Sequence, residues 1–275
     1  MPGETQQELL CFDDVTIRFD DVVAVDRVSF KVTPGQTRVL LGAAGTGKTT
    51  LLKAAIGLLP INSGKVFLFG KDITLLSEKE MFALRSRVGV LFQEGGLFDS
   101  LTVEQNVAYP LVNRKQKLPE AEVHRKVQDA LSFVELTNTL EKYPNELSGG
   151  MRRRVGIARA VVTEPPLVLY DSPTAGLDPI TANTIMALVA KERDTQRTAN
   201  LIVTHRYQDG QIMANFRYNA KREALEPANG GSTNGAKSQT IFMVMNGGRL
   251  CFEGSQAELE ASKDEYVSKF VLRRR

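Results

Sequence analysis

The sequence predicts an α/β fold: a mainly parallel sheet, opened by an antiparallel β subdomain and interrupted by an inserted α-helical subdomain. Three observations lead there. Short runs of β-forming residues alternate with helical patterns along most of the chain, the order expected of a parallel sheet with crossover helices. A glycine-rich loop at 42–47 stands between a strand pattern and a helix pattern. The stretch 97–163 carries several helical patterns and no convincing strand, so it reads as the inserted lobe. The 275 residues are 42% hydrophobic and 24% charged, values of an ordinary globular chain with room for a large buried sheet. Residues 1–275 are read as one domain.

In chain order, Val15–Phe19 and Val28–Val32 form the opening antiparallel pair, closed by the Pro34-Gly35 turn. Arg38–Leu41 is a short apolar strand running into the loop, and Thr50–Leu59 has helical composition. Lys65–Phe69 is a strand after the Asn62-Ser63-Gly64 turn, and Ser77 with Glu80 matches a capping box that starts a helix. Val88–Phe92 is a strand that stops at Gln93-Glu94-Gly95-Gly96. Within the helical lobe, Thr102 and Gln105 make a second capping box. Met151, Val155, Ala158 and Val162 share a helical face, beside which Arg152, Arg153 and Arg154 are expected on a solvated one. Strands return at Leu167–Tyr170 and Leu201–Thr204, with a helix over Thr181–Arg193 between them. The polar stretch 219–239 is read as a mobile surface insertion. Residues 240–275 then form a C-terminal hairpin and helix, the hairpin turning at Asn246-Gly247.

Composition narrows the partners. Lys plus Arg total 35 against 32 Asp plus Glu, a net charge of +3, which gives no field that argues for nucleic acid. Cys11 and Cys251 are the only cysteines and have no metal-ligand spacing, which fits a reducing compartment. No apolar run approaches the ~18 residues of a membrane span, and residues 1–10 do not read as a signal peptide. Membrane attachment would therefore need other subunits.

The chemistry sits in three places. Gly42-Ala43-Ala44-Gly45-Thr46-Gly47-Lys48-Thr49, followed by Thr50, fits GxxxxGK[ST], a loop whose backbone N–H groups and following helix N-terminus cradle phosphates. Lys48 reaches the β- and γ-phosphates and the Thr49 hydroxyl ligates Mg²⁺. Asp171, ending the strand Leu167–Asp171, supplies the carboxylate for that metal. Ser148-Gly149-Gly150 at a helix start makes a second anion-ready N-terminus.

Taken together, these motifs resemble the nucleotide-binding subunits of ABC transporters, from about Phe12 to Gly254. The resemblance implies a P-loop NTPase of ABC ATPase architecture, with Walker A at 42–49, the signature at Leu147–Met151, Walker B at 167–171 and the D-loop at Ala175–Asp178. It implies that Gln93 and His205 act on the metal-bound nucleotide and the attacking water, and that Phe19 stacks on adenine, although Phe19 is also readable as a core aromatic and His205 as a core histidine. It implies ATP and Mg²⁺ as cofactors, the latter held by Thr49, Gln93 and Asp171. In such proteins ATP lies between Walker A of one chain and the Ser148–Gly150 segment of a second copy or a related ATPase subunit. Transmembrane permease subunits are expected near Gln93, Leu97, Phe98 and the helical lobe, on the cytoplasmic face of the inner membrane.

Finer resemblance, in Leu91–Thr102 and Leu147–Val155, points to the Mla-type ATPases that move phospholipids, with another cargo as the alternative. One position departs from the family. Ser172 stands where a catalytic Glu usually follows Asp171, and general-base help is worth about 10²–10⁴ in rate. Two readings stay open: a transport ATPase that tolerates Ser172, or a clamp that closes on ATP and rarely hydrolyses it.

Overall fold

The computed structural model describes residues 8–114, 117–228 and 240–272. The chain opens with β1 (Leu10–Phe19), β2 (Val22–Val32), β3 (Thr37–Leu41), α1 (Lys48–Ala55), β4 (Ser63–Leu68), β5 (Lys71–Asp72) and α2 (Glu78–Arg85). β6 (Val88–Leu91) leads into a 3₁₀ turn at Gln93–Gly95, then α3 (Val103–Val112), α4 (Glu120–Phe133) and α5 (Gly149–Val161). There follow β7 (Leu167–Asp171), α6 (Pro179–Gln196), β8 (Ala199–Thr204), α7 (Tyr207–Asn215), β9 (Phe216–Asn219) and β10 (Ala224–Pro227). β11 (Thr240–Asn246), β12 (Arg249–Gly254), α8 (Gln256–Glu260) and α9 (Glu265–Leu272) complete the described chain.

The central sheet has the order β12-β11-β3-β8-β7-β6, parallel except for β12 at its edge. β3, β7 and β8 are buried along their whole length, which is why they read as unbroken apolar runs rather than alternating ones. The second sheet, β2-β1-β4-β5, is antiparallel. It packs with α1 on one face of the central sheet, in a core that includes Phe12, Leu40, Leu51 and Leu169. The helical lobe and α6 cover the other face through Val107, Leu131, Val155, Tyr170 and Ile185. Successive residues of β7, Leu169 and Tyr170, enter opposite cores, as the two-residue period of a strand requires. A third cluster seats α8 and α9 on β3 and β11 through Leu259, Val267, Val39 and Phe242.

Both capping boxes form: Ser77 N–H donates to Glu80 at 3.0 Å, and Thr102 N–H to Gln105 at 3.0 Å. Two expectations change. The C-terminal turn is shifted by one residue: Asn246 pairs with Arg249, so Gly247 (φ 53°) and Gly248 (φ 82°) are the two central positions. Glycine has no Cβ to oppose positive φ, so pairing settles on the second dipeptide. The stretch expected as a surface insertion from Asn219 contains the β9-β10 hairpin. Its anchor is Arg193, buried and donating to the carbonyls of Met213 (2.5 Å) and Phe216 (2.9 Å), while its neighbour Asp194 accepts from Tyr218 N–H at 2.7 Å. The rest of that stretch, 229–239, lies outside the described residues, as do residues 1–7 and Arg273–Arg275.

Candidate functional site

Parallel pairing aligns the carboxyl ends of the central strands. Leu41 lies beside Thr204, Asp171 beside Val203, and Leu91 beside Tyr170. The segments that follow, at Gly42, His205, Ser172 and Gln93, therefore all leave one edge of the sheet, where open α/β sheets place their ligands.

The 42–49 loop is fixed by its glycines. A Cβ at Gly47 (φ 96°) would lie 2.2 Å from the Ala24 carbonyl of β2, and one at Gly42 would lie 2.6 Å from Thr46 Oγ1 and 2.8 Å from the Met245 carbonyl. Ala43, Ala44 and Gly45 are exposed, while Thr46 and Thr50 are half-buried. The Lys48 side chain turns back into the loop, its Nζ donating to the carbonyls of Gly42 (2.8 Å) and Ala43 (2.6 Å) and to Thr46 Oγ1 (3.3 Å). Burial pushes the Lys48 pKa below its ordinary value, and the nearby Asp171 opposes that shift. Thr49 Oγ1 donates to Asp171 Oδ1 at 3.1 Å, so the two expected metal-ligand residues meet across 122 positions of sequence. A hydroxyl and a carboxylate are hard oxygen donors of the kind Mg²⁺ takes alongside phosphate oxygens. Among the described residues no group of three or more His, Cys, Asp and Glu is placed to hold a metal ion.

Ser172 has φ 49°; its N–H donates to the Val203 carbonyl at 2.8 Å and its Oγ to Asp171 Oδ1 at 3.2 Å. Its hydroxyl hydrogen is thus committed to the carboxylate. His205 and Gln93 are both exposed, which removes the core reading of His205. Among the described residues no hydrogen bond joins either of them to Asp171 or Lys48. Phe19 is 46% exposed at the tip of the β1-β2 hairpin, beside the exposed Val22 and Val23, so it is not a core aromatic. Ser148 caps α5, accepting from Met151 N–H at 3.2 Å. Gly149 and Gly150 face Leu177 and Thr181, the latter 2.7 Å from where a Gly150 Cβ would stand. The signature segment therefore rests on the D-loop and α6 of its own chain.

Three residues escaped sequence reasoning. Asp209, buried, accepts from Thr204 Oγ1 (2.6 Å) and Thr174 Oγ1 (2.7 Å), tying the end of β8 to the turn after β7. Burial raises its pKa, against the lowering by the two threonines, Arg206 and His205. Tyr266 of α9 accepts from Ala43 N–H at 3.3 Å and donates to the Met245 carbonyl at 3.2 Å, a tether on the phosphate loop from 223 residues away. Arg153 is buried and donates to the Ala175 carbonyl at 2.9 Å, instead of lying on a solvated face. Arg152 and Arg154 likewise bond carbonyls, at Leu147 (2.6 Å) and Val134 (3.4 Å), because α5 is enclosed between the lobe and the sheet. The only advance signal was negative: three adjacent arginines cannot share one face of a helix.

Comparison with known proteins follows this geometry. The profile of the family described as ABC transporter matches residues 25–175. The chain belongs to this family. It is 41% identical over 184 residues to the methionine import ATP-binding protein MetN of Carboxydothermus hydrogenoformans, covering 67% of this chain and 54% of that protein. It is 34% identical over 212 residues to the intermembrane phospholipid transport system ATP-binding protein MlaF of Haemophilus influenzae, covering 77% and 80%. The probable ribonucleotide transport ATP-binding protein Mkl of Mycobacterium tuberculosis is 40% identical over 178 residues, covering 65% and 49%. The chain thus spans about half the length of MetN and Mkl and four-fifths of MlaF. Among solved structures, CbiO1 of Clostridium perfringens, part of the ABC transporter complex cbiONQ, superposes with a TM-score of 0.76 at 27% identity, covering 98% of this chain and 94% of that one. The dimeric post-hydrolysis state of the ATP-binding cassette MJ0796, bound to ADP and Pi, gives 0.73 at 25% identity, covering 90% and 98%. The ABC cassette fold follows, in a family that binds ATP with Mg²⁺.

Proposed function

We propose that the chain is the ATP-binding and ATP-hydrolysing subunit of an ABC transporter, working as a dimer with itself or a related subunit. The observation that carries this is the hydrogen bond from Thr49 to Asp171 beside Lys48, which brings the phosphate loop and the metal carboxylate to one point. Gly42–Thr50 bind the phosphates, Lys48 exchanging its loop carbonyls for phosphate oxygens, and Phe19 offers its exposed ring to the base. Thr49, Gln93 and Asp171 hold Mg²⁺, which when bound neutralises charge on the phosphates. Gln93 and His205 orient the attacking water, and Ser148–Gly150 of a second chain close over the γ-phosphate. The exposure of Ser148 at the start of α5 supports a composite site.

Among the described residues no helix is long and apolar enough to cross a membrane, so coupling runs through permease subunits at Gln93, Leu97, Phe98 and the helical lobe, at the cytoplasmic face of the inner membrane. Phospholipid is the favoured cargo, supported by MlaF being matched over 80% of its length; the names of MetN and Mkl keep other cargoes as the alternative.

A second reading, a clamp that closes on ATP and rarely hydrolyses it, has its own support in Ser172: a hydroxyl already donating to Asp171 is no general base. Steady-state Mg²⁺-ATP hydrolysis separates the two. Turnover above a Lys48→Ala background supports the motor. Turnover at background that rises about 10²-fold or more in Ser172→Glu supports the clamp.

A further inference from the structure

Arg153 is 2% exposed, and only one end of its guanidinium is engaged. Nη2 donates to the Ala175 carbonyl at the start of the D-loop, while Nη1 is buried with no hydrogen-bond partner among the described residues. A guanidinium carries five N–H donors in a rigid fork, and leaving one dry and unpaired is costly. Buried donors are nearly always paired in native structures, so this one calls for an explanation.

The candidate partner stands in the turn after β6. The turn after β6 rests on α5 at this point: a Cβ on Gly95 would stand 2.8 Å from the Arg152 carbonyl and 3.7 Å from Arg153 N, and one on Gly156 would stand 3.0 Å from the Gly95 carbonyl. Glu94, in that turn, has φ 60°, is exposed, and has no hydrogen bond or ion pair among the described residues. Burial works against the Arg153 charge, and the two carboxylates that favour it are Glu94 and Asp171. Asp171 is already held by Thr49 and Ser172, which leaves Glu94 as the one free to move.

We propose that Arg153 is a positioning residue that ties the turn at Gln93–Gly96 to the D-loop turn at Ala175–Asp178, with Glu94 as the partner its free Nη1 takes when two ATP-bound chains close. The inference rests on the ATP-driven dimer proposed above. The link gives the two turns flanking Asp171 one shared arrangement: movement of the Gln93 turn, where a membrane partner would press, reaches the D-loop through a single rigid side chain. Lysine cannot reproduce it, because one ammonium does not span two acceptors in a fork.

The test uses full-length wild type, Arg153→Met, Arg153→Lys, Glu94→Gln and the Glu94→Gln/Arg153→Met double variant. ATP affinity is read by titration, ATP-dependent dimerisation by sedimentation, and kcat and KM by steady-state hydrolysis. The expected result is ATP affinity within about twofold of wild type in every variant, with dimerisation and kcat lowered about tenfold or more in Arg153→Met and not restored by Lys. Glu94→Gln should weaken dimerisation in wild type and have no further effect in Arg153→Met, the non-additivity of a shared contact. Wild-type dimerisation in Arg153→Met, or independent effects in the double variant, overturns the link. If Arg153→Met melts early, the exposed Glu94→Gln decides alone: unchanged dimerisation refutes the proposal. Wild type that binds no ATP instead refutes the transporter reading on which it rests.

Discussion

Asp209 joins the two strand ends that flank the candidate site, and its removal has a calculable cost. Its Oδ2 accepts hydroxyl hydrogens from Thr174 at 2.7 Å and Thr204 at 2.6 Å, and both threonines are 1% exposed. Asp209→Ala leaves two buried hydroxyls without an acceptor, at about 1–3 kcal/mol each. Removing a buried carboxylate recovers part of this, since its raised pKa reports an unfavourable desolvation. The net expectation is roughly 2–4 kcal/mol of lost stability for Ala. Asparagine keeps an oxygen able to accept both bonds and loses only the 3.7 Å contact with Arg206, so Asp209→Asn should cost about 1 kcal/mol. Urea denaturation of the three proteins measures this. A pH series adds a sign. Because the folded pKa lies above the unfolded one, wild type should gain stability relative to Asn as pH falls through the folded pKa, and lose it as pH rises. An Ala variant within about 0.5 kcal/mol of wild type, or Asn as costly as Ala, would refute the network.

Glu192 is buried beneath Tyr170 and Thr198, and burial raises its pKa to about 7. Wild type should therefore lose on the order of 3 kcal/mol relative to Glu192→Gln between about pH 4.5 and pH 8, with the gap closing at low pH; parallel pH profiles for the two proteins would contradict it. Tyr266→Phe removes the bridge between Ala43 and Met245 while keeping the ring against Phe270, and should change ATP affinity about 2- to 10-fold at the cost of about 1 kcal/mol. Unchanged titration curves would show that α9 does not act on the loop. Gly47→Ala forces a Cβ to within 2.2 Å of the Ala24 carbonyl at φ 96° and should abolish nucleotide binding, whereas Gly45→Ala meets no atom within 4 Å and carries only the strain of its φ of 78°, so it should weaken binding less; equal affinities would show that the close approach is not limiting.

What the sequence disclosed was local. A capping box needs four residues, a phosphate loop eight, and a buried parallel strand shows its burial on both faces as an unbroken apolar run. The order of these signals was enough for the α/β architecture and for the meeting of Thr49 with Asp171. What it withheld depends on distant backbone. Arg153 reaches a carbonyl 22 positions away and Tyr266 an amide 223 positions away, and nothing in an Arg or a Tyr codon-by-codon neighbourhood names such a carbonyl or amide. Asp209 carries no local signal, since its partners come from the end of β8 and from the turn after β7. The one-residue shift of the last hairpin has the same origin, because the ladder with β12 chooses between Asn246-Gly247 and Gly247-Gly248. The β9-β10 hairpin hid in a polar stretch because its anchor, the Arg193-Asp194 pair, lies in α6.

The most direct measurement is equilibrium titration of the purified full-length chain with ATP and Mg²⁺, beside Lys48→Ala. Saturable binding by wild type that weakens at least tenfold in Lys48→Ala is the predicted result. Equal binding by both proteins, or none by wild type, would contradict a nucleotide site at Gly42–Thr49 and Asp171.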